Sequence, residues 1–115
     1  MIRIDERRLG DIVNELGTTA AQNVIGLAME QIASLMTEFS DLALTGAMQA
    51  AGARADRLSR LAWQVGLVSL AGVAVDVATA AERGDQTAFA ATVSRLMRVG
   101  NQSVTRIWDS GGLAG

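Results

Sequence analysis

The sequence predicts an all-α fold: an up-and-down antiparallel four-helix bundle with a short N-terminal lid helix, one domain over residues 1–115 with a frayed tail at 110–115. Three observations predict it. Half of the residues are hydrophobic, yet only Phe39, Trp63, Phe89 and Trp108 are aromatic and Pro is absent. Burial therefore falls to Ala, Leu, Val, Ile and Met, a mixture that favours helices. Apolar residues recur at i, i+3, i+4 and i+7 through most of the chain, the stripe of a helix with one face buried. Glycines at 17, 46, 52, 84 and 111–112 punctuate the pattern, and the short turns they allow make consecutive helices antiparallel.

The first helix is expected from about Asp5 to Leu16, with Leu9, Ile12, Val13 and Leu16 on one side and Gly17 as its C-terminal cap. The second starts at Thr19, which with Gln22 makes a Thr-x-x-Gln capping box. Its stripe is Ile25, Ala28, Ile32, Leu35, Met36, Phe39, Leu42 and Ala43, and it ends near Gly46 or continues to Gly52.

A third helix is expected from near Ala53 and carries two apolar stripes. One is Leu58, Leu61, Val65, Val68, Gly72 and Val75; the other, roughly opposite, is Trp63, Leu67, Leu70, Ala74 and Val77. Gly72 is the expected break or close backbone approach, after which helix runs on to Arg83. Gly84-Asp85 reads as a stop followed by an N-cap. The last helix, Gln86 to about Asp109, presents Phe89, Val93, Leu96, Val99, Gly100, Val104 and Ile107 on one face, and Ser110 onward should fray.

Composition excludes several functions. With no Cys and no His there is no Cys/His zinc site, no haem ligated by either residue, no redox pair and no Ser-His triad. No cofactor, metal or enzymatic activity is expected. All ten basic residues are Arg, and the net charge of −2 argues against nucleic acid or an anionic membrane as partner. The most apolar stretch, Leu61 to Val75, is 15 residues long, short of the roughly 20 needed to span a bilayer. No secretory signal opens the sequence, so a cytoplasmic location is expected.

Residues 54–75, RADRLSRLAWQVGLVSLAGVAV, resemble the central helix of a histidine phosphotransfer (HPt) domain. The resemblance extends from Ile4 to about Trp108: a short lid helix, a long helix, an Asp/Arg-rich lead-in, the acceptor helix, an Ala-rich helix ending in Glu82-Arg83-Gly84-Asp85, and a last amphipathic helix. The family's acceptor helix has the form Ala-His-x-Leu-Lys-Gly. The matching residues are Ala62, Trp63, Gln64, Val65, Gly66 and Leu67, so Trp63 stands at the position of the phosphoryl-accepting histidine. Gly66 and Leu67 replace the charge-neutralising Lys and the Gly that admits the partner. The resemblance implies a member of two-component phosphorelay signalling that carries no phosphate on histidine and acts by binding a response-regulator receiver domain or a histidine kinase.

On one continuous helix, Asp56, Arg60, Trp63, Leu67 and Leu70 share a stripe, and an aromatic one turn from an arginine is a frequent centre of protein interfaces. The expected contact set is Arg57, Arg60, Trp63, Gln64, Leu67 and Leu70. The competing reading is that the Trp63/Leu67/Leu70 stripe packs inside the bundle, or joins two copies of a purely structural helical protein as a homodimer. Arg54, Arg57 and Arg60 form a short basic ridge, read as a solvated edge paired with Asp56. Asp76 is expected to be exposed or paired with an arginine of a neighbouring helix. Arg95 and Arg98 are expected on the solvent side of the last helix.

Overall fold

A computed structural model describes residues 2–109, so the expected fraying of 110–115 lies outside the described residues. The chain is all-helical: α1 (Glu6–Leu16), α2 (Thr18–Leu44), α3 (Met48–Gln64), α4 (Val68–Glu82) and α5 (Gln86–Asp109). α2 packs on α3, α3 on α4 and α4 on α5, while α1 lies against α2 and α2 touches α5. The long dimension of 44 Å follows from α2, because 27 residues at about 1.5 Å each span roughly 40 Å.

Local chemistry starts and stops most of these helices. Asp5 caps α1, its Oδ1 accepting from the Arg8 N–H at 3.1 Å. Asp85 does the same for α5, accepting from the Ala88 N–H at 2.9 Å. Gly17 ends α1 at φ 83° and also precedes α2. The expected Thr19 capping box is not the start of α2: the helix begins at Thr18, and the cap position is held by Gly17, which has no side chain to cap with. α2 then stops at Leu44 and Gly46 turns the chain, which decides for the earlier of the two expected ends. α3 accordingly begins at Met48 rather than Ala53.

The third helix does not run unbroken from Ala53 to the expected break at Gly72. The chain breaks at Val65–Leu67, six residues before Gly72, and Gly72 lies inside α4. Two features hold the break at Gly66. Its φ is 79°, a conformation that costs an L-residue roughly 1–2 kcal/mol. A Cβ there would also stand 2.7 Å from the Asp5 carbonyl oxygen. The Asp5 N–H donates to the Gly66 carbonyl at 2.6 Å, and Arg8 Nε donates at 3.1 Å to the Gln64 carbonyl, one of the acceptors that the end of α3 leaves unpaired. No basic residue lies in the last turn of α3, so Arg8 of α1 supplies the cation that complements its dipole.

The core is one cluster. α2 contributes Ile25, Met29, Ile32, Met36 and Phe39, with the Phe39 ring 6.3 Å from that of Phe89 on α5. α3 presents a face of small residues, Ala51, Gly52, Ala55, Ser59 and Ala62, with Leu58 as its one large buried side chain. Gly52 is packed so closely that an added Cβ would collide with the Ala81 methyl group of α4. Close backbone approach thus supplies dispersion contacts that large side chains supply elsewhere. α1 has no buried residue; Leu9 and Ile12, with Ile2 and Ile4 ahead of the helix, rest half-buried on the core.

Candidate functional site

The break at 65–67 resets the helical phase, and this redistributes the two expected stripes. Leu67, Leu70, Ala74 and Val77 are fully buried, whereas Val75, of the opposite stripe, is half exposed. Leu67 and Leu70 therefore do not share a contact face with Trp63. A shared stripe from Arg60 to Leu70 needs about 100° per residue throughout, but α3 ends at Gln64 and the helical phase is lost before α4 starts at Val68. Both leucines are core residues of this chain.

Trp63 behaves differently. It sits in the last turn of α3 at 64% exposure, the only described aromatic left in solvent, since Phe39 and Phe89 are buried. It borders a groove of about 530 Å³ between the end of α3 and the first half of α4, whose walls are mainly apolar: Val68, Ala71 and Val75 face Arg60, Trp63 and Gln64. On its other side Trp63 borders a smaller charged hollow with Asp5, Arg8 and Asp11 of the α1 region. Three of the six expected contact residues, Arg60, Trp63 and Gln64, are thus brought together. Arg57 is exposed one turn earlier on α3. Val68, Ala71 and Val75 of the groove were not expected, because only the break aims them at Trp63.

The arginine ridge divides. Arg60 donates to Asp56 at 2.7 Å across one helical turn, an exposed pair of small energetic value. Arg54 is partly covered and reaches Glu38 of α2 at 3.6 Å. Asp76 is exposed, and so are Arg95 and Arg98, as the sequence predicts.

The residues matched to the HPt acceptor motif do not occupy one helix. Ala62, Trp63 and Gln64 end α3, and Val65, Gly66 and Leu67 form the turn. Among the described residues no helix is long and apolar enough to cross a membrane. No family model, curated protein or solved structure matches this chain.

Proposed function

We propose that this chain is an HPt-like binding protein of two-component phosphorelay signalling, which holds a receiver domain or the helical hairpin of a histidine kinase and carries no phosphate on histidine. Its contact surface is the Trp63 groove, flanked by Arg57 and Arg60. The observation that carries the reading is the exposure of Trp63 beside apolar walls. Covering the open part of an indole, on the order of 100–150 Å², contributes about 2.5–4 kcal/mol of transfer free energy before the costs of association are met, and an exposed tryptophan of this kind is a frequent interface anchor. The order of a short helix, a long helix and three more supports the family, with α2 to α5 as the up-and-down bundle and α1 as the lid. The split motif supplies no support, so the reading rests on the surface.

The test is titration of receiver domains, phosphorylated and not, and of kinase dimerisation hairpins, against the wild type and Trp63→Ala by calorimetry. Saturable binding lost in Trp63→Ala is expected, with no transfer of phosphate to this chain. Transfer to any of its side chains sinks the reading.

A second reading is favoured by the apolar rim that Val75 and Trp63 form: a second copy of this chain covers the same groove, giving a homodimer. Light scattering that shows a dimer dissociated by Trp63→Ala, with no binding of receivers or kinases, selects it.

A further inference from the structure

A second hollow, of about 490 Å³, lies where the N-terminal segment crosses α4 and α5, and it shares Val68 and Gly72 with the Trp63 groove. Its chemistry is different. Arg3, Arg95 and Arg98 line it, with Asp76, Ser69 and Gln102. These residues come from three separate elements. Arg95 and Arg98 stand one turn apart on α5. Arg3 is set in place by a reciprocal pair of bonds: its N–H donates to Ser69 Oγ at 2.6 Å, and the Ser69 N–H donates to the Arg3 carbonyl at 3.1 Å.

The ion pairs among the described residues are Arg54–Glu38 and Arg60–Asp56, so none of the three arginines that line this hollow pairs with a described carboxylate within 4 Å. Three positive charges against one carboxylate leave a local charge of +2 in a chain whose net charge is −2. The first turn of α4, with Ser69 in it, adds the partial positive charge of a helix N-terminus. Like charges gathered around a concave surface repel, and a bound anion removes that cost.

The charge and the size define the ligand. A phosphate monoester carries about −1.5 to −2 at neutral pH, which matches the local +2 better than a single carboxylate. Planar guanidiniums bind phosphate oxygens in pairs. A hollow of this volume admits a body of small-molecule size attached to the phosphate. Asp76 and Gln102 offer acceptors for hydroxyl groups on that body.

We propose that this hollow binds a small phosphorylated, hydroxyl-bearing molecule of the sugar-phosphate type. Arg3, Arg95 and Arg98 grip the phosphate, and Asp76 accepts hydrogen bonds from hydroxyls.

The test is calorimetric titration with glucose 6-phosphate, inorganic phosphate, glucose and a single-stranded DNA oligonucleotide. Glucose 6-phosphate should bind saturably, inorganic phosphate more weakly and glucose not at all. Arg95→Ala with Arg98→Ala should weaken glucose 6-phosphate by about tenfold or more per arginine, the scale of a lost charge-assisted hydrogen bond. Asp76→Asn should separate the two roles, strengthening inorganic phosphate while narrowing its gap from glucose 6-phosphate. Equal responses of the wild type and the double-arginine variant overturn the proposal. So do the absence of saturable binding, equal heats from glucose and glucose 6-phosphate, and an oligonucleotide that binds more tightly than the sugar phosphate.

Discussion

Replacing Gly66 and Gly72 in turn by alanine tests where the chain turns, because the two changes should move stability in opposite directions. At Gly66 the φ of 79° costs an alanine roughly 1–2 kcal/mol. Its Cβ would press on the Asp5 carbonyl at 2.7 Å, displacing the segment whose N–H bonds to Gly66, for about a further 1 kcal/mol. The sum is about 2–3 kcal/mol of destabilisation. With an unfolding entropy of about 2.1 cal/mol/K per residue, that lowers Tm by roughly 8–12 °C. At Gly72 the backbone is helical and an added Cβ meets nothing within 4 Å. Alanine there should stabilise by about 0.5–1 kcal/mol through helix propensity and reduced unfolded-state freedom. Urea and thermal unfolding followed by far-ultraviolet circular dichroism measure both. If Gly72→Ala loses more stability than Gly66→Ala, the helix turns at Gly72 and the assignment of Leu67 and Leu70 to the core falls with it.

Further outcomes separate core from surface. Leu67→Ala and Leu70→Ala should each cost about 2–5 kcal/mol in urea unfolding, because both side chains are fully buried. Trp63→Ala should change stability by no more than about 0.5 kcal/mol while abolishing partner binding. A large loss in Trp63→Ala would falsify the surface reading. Asp85→Ala should cost about 1 kcal/mol by removing the acceptor for the Ala88 N–H at the start of α5, and Asp85→Ser should recover most of it.

The parts of the fold that were legible in the sequence are those decided within a few residues. Gly17 and Gly84-Asp85 mark helix ends because a positive φ and a capping carboxylate act locally. The stripes of α2 and α5 were legible because each helix is long enough to repeat its period several times. Ala21, Met29 and Ser103 are also buried, because the covered face of each helix is wider than a single stripe. The break at Gly66 was not legible. Val65 to Leu70 is strongly apolar, two glycines compete within seven residues, and the choice is made by Asp5 and Arg8, some sixty positions away. That one non-local choice moved Leu67 and Leu70 inward and turned Val68 and Val75 toward Trp63. Trp63 and Arg60 survived as surface residues because they precede the break. The arginine hollow has the same character, since only the fold brings Arg3 to Arg95 and Arg98.

The attachment of the N-terminal segment to the α3–α4 turn has a kinetic consequence. α3 and α4 are neighbours in sequence, and a three-residue connection closes at small entropic cost. Residues 3–8, by contrast, bind acceptors and donors that exist only after that hairpin has formed. α1 buries no side chain of its own, so it adds little to the collapse that precedes it. Assembly should therefore proceed from the middle of the chain outward, with residues 2–16 docking last and leaving first. Native-state amide exchange at Leu9 faster than at Leu58 and Val77 is the expected sign, and equal protection at all three would show that the molecule opens as a single unit.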